Sequence, residues 1–294
     1  MAPWSSSSRG RRVCCCVLIG LGVLVLGAAV TAGIRRWLQP SGHKQWEGAG
    51  TTAHISEIFL GRCFTYTQII HPELRDKNCQ KIWNAFKNSF ISKDTCNITE
   101  EDYQPLIKLT TQTLPCNQTL FWSKTNVLVH RYTKAQKELF TLEDTLLGYM
   151  ADDLIWCGSS GNSEMNYQSC PSRMENCSNS PVFVFWKTVS KKFAEAACGV
   201  VHVMLNGSIS RAFVRNSIFG SIEVMNLHQE RVHSLRAWVM HDIGGDFSDS
   251  CSGSSINDLR SIMREKNIPF TCQDDYKPVR YIQCVSHPEH SSCP

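Results

Sequence analysis

Twelve cysteines follow a stretch of 22 residues that carries no charge, and together these two features limit what the chain can become. Residues 13–34 are long and apolar enough for a helix to span a bilayer. Arg9, Arg11 and Arg12 precede the run and Arg35 and Arg36 follow it, a balance that predicts a cytoplasmic N-terminus and a retained signal-anchor. A cleaved signal peptide is the competing reading, with Val30, Thr31 and Ala32 as its small-residue site. Either way, the chain from Trp37 onward leaves the cytosol. In an oxidising compartment Cys63, Cys79, Cys96, Cys116, Cys157, Cys170, Cys177, Cys198, Cys251, Cys272, Cys284 and Cys293 read as six disulfides, whose pairing spacing alone does not choose. No Cys-X-X-Cys pair or His-rich spacing among them suggests zinc. Asn97, Asn117, Asn176 and Asn206 each head a glycosylation sequon, in agreement with export.

Export changes the meaning of the charge. The chain has 30 Lys and Arg against 26 Asp and Glu, a net +4. No acid precedes Trp37, so setting aside the five flanking Arg leaves 25 bases against 26 acids in the exported part. That part is nearly neutral and carries no basic stripe for nucleic acid. Residues 37–52 read as a stalk, and residues 53–294 are long enough to bury a sizeable core.

Apolar spacing predicts a helix from His71 and Pro72 through Phe90, a shorter one over 101–109 interrupted by Pro105, a short strand over 118–122 ending on Trp122, and a helix over 127–140. In TLEDTLLGYMADDLIWCG, residues 141–158, Thr141 and Asp144 have the form of a helix N-cap. Glu143 and Asp152 lie nine residues apart, on opposite sides of an unbroken helix, so both can line one pocket only if the helix stops near residues 148–151. Trp186, Ser190, Phe193 and Ala197 form one helical stripe, and residues 199–205 read as a buried strand. The last third alternates strands at 221–227, 235–241, 268–272 and 280–285 with a helix at 255–266, which suggests a small parallel sheet with helical cover. Inside its strand, His202 is expected to be a satisfied core residue.

Within NSIFGSIEVMNL, residues 216–227, a single carboxylate, Glu223, stands between Ile222 and Val224. The ordinary reading is a solvent-facing residue on a half-buried strand. The sharper one is a carboxylate held in an apolar cleft because a cationic substrate or transition state requires it.

With these segments in place, CNITEEDYQPL from Cys96, TLEDTLLGYMADDLIWCG from Thr141, NYQSCP from Asn166, FWKTVSKKFAEAAC from Phe185 and FGSIEV from Phe219 resemble the ADP-ribosyl cyclase/cyclic ADP-ribose hydrolase family, in its type II membrane-anchored branch. The resemblance covers essentially all of residues 37–294. It implies a mixed α/β fold. A helical N-terminal domain (53–115 and 141–197) is followed by a C-terminal domain (116–140 and 198–294) with a short parallel sheet flanked by helices, and a cleft lies between them. It pairs Cys63 with Cys79, Cys96 with Cys177, Cys116 with Cys198, Cys157 with Cys170, Cys251 with Cys272 and Cys284 with Cys293. It makes Glu223 the catalytic glutamate, with Trp122, Trp186 and Glu143 beside it, and places Asp152, Ser123, Lys124, Phe219 and Ser190 against the nucleotide. Two positions depart from the family pattern: Lys124 stands where Arg is expected, removing a planar bidentate phosphate fork, and Ile218 stands where Thr is expected. Both read as tuning nucleotide affinity.

The implied activity is a cell-surface ectoenzyme that cleaves the nicotinamide–ribose bond of NAD to ADP-ribose and cyclic ADP-ribose, hydrolyses cyclic ADP-ribose, and exchanges bases on NADP. NAD and NADP are substrates, and neither cofactor nor metal is expected. Homo-oligomers and cell-surface protein ligands are compatible with this reading. Two alternatives stay open on the residues alone: a disulfide-rich receptor or adhesion module without activity, and a hydrolase of another kind that uses Glu143 and Asp152 as a carboxylate pair.

Overall fold

The computed structural model describes residues 45–159, 162–172 and 175–293. The segments expected to form the cytoplasmic tail, the span over 13–34 and the start of the stalk lie outside the described residues. Among the described residues no helix is long and apolar enough to cross a membrane. In chain order the elements begin with β1 (Gly48–Ala49), α1 (Ile55–Thr65), α2 (Cys79–Asn88), α3 (Gln104–Thr110), β2 (Leu120–Ser123), α4 (Asn126–Gln136) and α5 (Leu146–Ala151). They continue with β3 (Ser169–Cys170), α6 (Pro181–Ala196), β4 (Gly199–Asn206), β5 (Val232–Met240), α7 (Ser254–Glu265), β6 (Phe270–Asp274) and α8 (Lys277–Cys284).

The helical part is held by aromatic rings. In α1, Ile55, Phe59 and Cys63 recur at helical spacing and are fully buried. α2 starts where the Asn78 side chain accepts the Lys81 N–H at 2.9 Å, and it turns Ile82, Trp83 and Phe86 inward. Phe59 stacks on Phe86 at 4.5 Å, Phe86 meets Trp156 at 4.9 Å, and Trp156 meets Phe185 of α6 at 5.1 Å. Each such buried ring contributes about 1.5–3 kcal/mol. The polar atoms among them are paired: the Trp156 indole donates to the Tyr103 hydroxyl, which donates to the Pro181 carbonyl.

The sheet is four-stranded and fully parallel, in the order β2-β4-β5-β6. Both faces are covered, which accounts for the near-continuous apolar runs of β4 and β5. Val201, Val203, Leu205, Leu235, Ala237 and Val239 face the main core, where α7 supplies Leu259, Ile262 and Met263. Leu120, Met204, Trp238 and Met240 face a second core completed by Val129 and Tyr132 of α4 and Val279 of α8.

The six disulfides pair as the resemblance implies. Cys96–Cys177 and Cys116–Cys198 close loops of 81 and 82 residues in sequence, the kind that restricts an unfolded chain most. Cys116–Cys198 ties the approach to β2 to the junction of α6 and β4.

Three expectations fail. Residues 221–227 are not a strand: Phe219–Glu223 forms a π-helical turn and Val224–Asn226 a 3-10 turn. Short apolar runs do not separate strand from helix by periodicity, and the buried positions Phe219, Glu223 and Val224 share a helical face. Nor are residues 280–285 a strand. Pro278 starts a helix there, and Val279, Gln283 and Cys284 turn inward at helical spacing. His202 sits in the core, 4.9 Å from Trp238, but its Nδ1 is buried without a hydrogen-bond partner, and burial pulls the ring down to about 4.

α5 stops at Ala151, before Asp152, and its approach to the preceding turn depends on Gly148. A Cβ there would run into the Leu142 carbonyl and come within 2.7 Å of the Glu143 Cα. Gly148→Ala is expected to lower Tm by roughly 3–10 °C through this overpacking; an unchanged melting curve would show that the turn yields freely.

Candidate active site

Glu223 ends the π-helical turn between β4 and β5. The turn is fastened on both sides. Ser217 Oγ accepts the Gly220 N–H at 3.0 Å and donates to the Val214 carbonyl, while Ser221 Oγ donates to the Ser217 carbonyl. Gly220 is required because a Cβ would come within 2.8 Å of the Arg215 carbonyl oxygen. The Phe219 ring is wedged between Phe121 and Phe213, and Val224 is fully buried. With both flanks anchored inward, Glu223 is left 7% exposed. Burial pushes its carboxyl up to about 8; the Ser190 hydroxyl pulls the other way, and the charge of Glu143 adds to the rise. At neutral pH the group is therefore mostly protonated.

Trp122 lies on β2 opposite Met204, and its indole N–H donates to Glu143 Oε2 at 3.1 Å. Glu143 belongs to the 3-10 turn Leu142–Asp144, whose shape is fixed by Asp144 accepting from both the backbone N–H and the hydroxyl of Thr141. Burial raises the Glu143 carboxyl, against the pull of its own backbone hydrogen bond, the Trp122 indole and His130. Asp152 follows α5. It too is raised by burial, then by Asp153, with His130 and Arg62 opposing. Arg62 reaches from α1 and donates to the Met150 and Asp152 carbonyls, so it holds the backbone that carries Asp152.

Trp186 is half-buried on α6, edge-on to Phe185 at 5.2 Å, one turn before the buried Ser190. Glu223, Ser190, Glu143 and Trp122 are thus linked by charge or hydrogen bond. The other positions stand apart. Ser123 is the half-buried last residue of β2. Lys124 is exposed with a left-handed φ of 62°, and its carbonyl accepts from the Asn206 side chain at 3.2 Å. The Phe219 ring packs into the main core. A cavity of about 690 Å³ bordered by Trp122, Lys124, Arg131, Asn206, Asp242 and His287 touches this cluster only through Trp122, and Glu223 does not line it. Of the sequons, Asn97, Asn117 and Asn176 are exposed, whereas Asn206 is half-buried. Among the described residues no three His, Cys, Asp or Glu side chains gather as a metal site would need.

His130 is the site neighbour that sequence reading misses. It lies on α4, its ring edge-on to Trp122 at 5.9 Å. A lone His on a charged helix gives no signal by itself; only its distance of two helical turns from the strand ending on Trp122 could draw notice.

The ADP-ribosyl cyclase family model matches residues 52–293. The ADP-ribosyl cyclase/cyclic ADP-ribose hydrolase 1 of the rabbit, Oryctolagus cuniculus, is 59% identical over 280 residues, 94% of this chain and 92% of the relative. Porcine CD38, solved with a covalent intermediate, ribo-F-ribose-5'-phosphate, superposes with a TM-score of 0.76 at 58% identity over 79% of this chain and all of that one. Aplysia cyclase, solved with substrate NGD and product cGDPR, gives 0.76 at 30% identity over 83% of this chain and 98% of that one.

The raised carboxyl at Glu223 has a consequence for stability. Its ordinary value is 4.5 and its folded value about 8. Between these the unfolded chain has already lost the proton that the fold keeps, so stability is full below about 4.5 and falls as pH rises to about 8. Glu223→Gln removes that loss. The variant's Tm is expected to exceed the parent's by several degrees at pH 9, with the difference shrinking toward pH 4.5; a constant difference across that range would contradict the shift.

Proposed function

The chain belongs to the ADP-ribosyl cyclase family, and from that membership we propose that the Glu223 cluster breaks the bond between nicotinamide and ribose in NAD. The activity is that of an ADP-ribosyl cyclase/cyclic ADP-ribose hydrolase, yielding ADP-ribose and cyclic ADP-ribose and hydrolysing the latter. The observation that carries the site assignment is a single carboxyl, buried to 7% exposure and linked to Glu143 and Ser190, in a segment pinned on both flanks.

The pyridinium of NAD already bears a positive charge and leaves as neutral nicotinamide. No acid has to protonate it, so one member of the usual glycosidase carboxylate pair is unnecessary. The electron pair of the C–N bond departs with the base, and positive charge appears on the ribose. A preorganised carboxylate in a water-poor pocket stabilises that charge. The raised carboxyl fits this role, because the incoming pyridinium is an opposite charge that favours ionised Glu223, whose proton leaves to solvent. The covalent intermediate held by porcine CD38 supports a site in which the ribosyl group is captured before transfer.

Trp122 and Trp186 hold the flat rings by stacking, and Glu143 and Asp152 grip the nicotinamide amide. The captured ribosyl group then partitions. Water yields ADP-ribose and loses a proton; the adenine ring of the same molecule yields the cyclic product. A free pyridine base exchanges the base, so that NADP with nicotinic acid gives nicotinic acid adenine dinucleotide phosphate. Exclusion of water sets the ratio, and hydrolysis is the dominant route in this reading. The enzyme acts at the cell surface, anchored by the span over 13–34, and Lys124 and Ile218 tune nucleotide affinity.

Glu223→Gln keeps the shape and removes the charge. In the disulfide-intact ectodomain it is expected to slow nicotinamide release from NAD by about a hundred- to a thousandfold with an unchanged circular dichroism spectrum. A folded variant with full activity would overturn the assignment of Glu223.

A further inference from the structure

We propose that Arg62 and Tyr66 are positioning residues: from one helical face they clasp the two ends of α5 and fix the separation of Glu143 and Asp152, which sets how strongly the site holds the amide of the substrate's pyridine ring. The inference rests on reading those two acids as the amide grip.

Arg62 stands in the last turn of α1, and Tyr66 opens the π-helical turn Tyr66–Ile70 that continues it. Four residues apart, they share a face. At the C-terminal end of α5 the Arg62 guanidinium donates to the carbonyls of Met150, at 3.3 Å, and Asp152, at 2.5 Å. At the N-terminal end the Tyr66 hydroxyl donates to the Asp144 carbonyl at 2.9 Å. Gln112 braces that contact. Its side-chain N–H donates to the Tyr66 hydroxyl at 3.3 Å, and its Oε1 accepts the N–H of Leu146, the first residue of α5, at 2.8 Å. One face thus holds the backbone of Asp152 itself and of Asp144, the neighbour of Glu143.

α5 does not hold this spacing alone. Its six residues make fewer than two turns, far short of a helix that is stable by itself, and its last carbonyls have no partners within the helix. The Arg62 guanidinium satisfies carbonyls there and sets a positive charge at the negative end of the helix dipole. Immediately beyond, Asp153 takes a left-handed φ of 56°, so the chain turns away just past the carbonyl that Arg62 holds. The clasp is itself anchored. Tyr66 is fully buried, its ring stacked on His71 at 4.6 Å and tilted against Tyr149 of α5 at 5.4 Å, and Cys63, between the two residues, is bonded to Cys79 of α2.

The clasp acts on the backbone that carries the acids and leaves the breaking bond alone. Hydrogen bonds weaken steeply with misalignment, so a shift at either end of α5 costs amide recognition in the ground state and the transition state alike. That loss appears as a higher KM with kcat retained. It is confined to substrates that carry the amide, whereas general loosening of the fold harms every substrate.

The test compares NAD with an analogue in which a plain pyridinium replaces the nicotinamide, keeping the cationic leaving group without the amide. Steady-state kinetics are measured on the intact ectodomain and on Arg62→Gln, Arg62→Lys and Tyr66→Phe. For NAD, KM is expected to rise about three- to tenfold in Arg62→Gln and in Tyr66→Phe, the worth of one hydrogen bond, with kcat changed less than about twofold. The preference for NAD over the analogue in kcat/KM should fall by the same factor, and Arg62→Lys should restore part of it. Tyr66→Phe removes a single oxygen and decides the outcome if the Arg62 variants do not fold. Equal losses on both substrates, or a lowered Tm with the preference intact, would overturn the proposal and leave the clasp a packing feature. Glu143→Gln and Asp152→Asn separate the two levels. If they leave the preference unchanged, the reading of the acid pair fails and the clasp's role fails with it; if they lower it while Arg62→Gln and Tyr66→Phe do not, the clasp alone is refuted.

Discussion

Taking an ionised carboxyl out of water costs several kcal/mol unless a counter-charge or hydrogen bonds replace the lost solvation. At Glu223 only a hydroxyl, that of Ser190, offers such replacement, and the neighbouring acid Glu143 makes ionisation harder. The site therefore waits in its neutral form for a positive partner. A pyridinium nucleotide supplies one on arrival, and the ribose supplies one again as the base departs. In the proposed mechanism, specificity for a cationic leaving group and stabilisation of the transition state come from one desolvated group.

Keeping that group in place takes much of the rest of the molecule. The short helical turn carrying Glu223 is fastened locally by Ser217, Ser221 and the close approach at Gly220, while Phe219 anchors it to the main core. β2 brings Trp122, the end of α5 leads into Asp152, and α6 brings Trp186 and Ser190, and these elements lie far apart in sequence. Cys116–Cys198 fastens the start of this set, holding the approach to β2 beside the α6–β4 junction. The acid pair is placed by a turn followed by a short helix, with the capping residues Thr141 and Asp144 shaping one and Gly148 letting the other pack against it.

Much of this is legible in the residues. An even dozen cysteines in an exported chain announces six bridges, although their pairing comes only through family resemblance. β2, β4 and β5 are visible as apolar runs closed by polar residues, and the need for a helix to stop near Ala151 follows from the nine-residue spacing of Glu143 and Asp152. The segment around Glu223 misleads because four or five apolar residues fit a strand and a helical turn equally well. Only the tertiary anchors at Gly220 and Phe219 decide between the two. Lys277–Cys284 misleads for the same reason, despite a proline at its first turn. His130 is invisible because its contact with Trp122 crosses the β2–α4 connection, and no pattern in a single helix encodes that.

The central claim is that burial keeps Glu223 neutral and that a cationic nucleotide ionises it. Infrared difference spectra between the unaltered ectodomain and Glu223→Gln, recorded across pH, isolate the carboxyl stretch of this one residue. A protonated band that disappears with a midpoint near 8, and at a lower pH once a non-cleavable NAD analogue retaining the pyridinium charge is bound, is the predicted result. A midpoint in the ordinary carboxylate range, unmoved by the analogue, would contradict it.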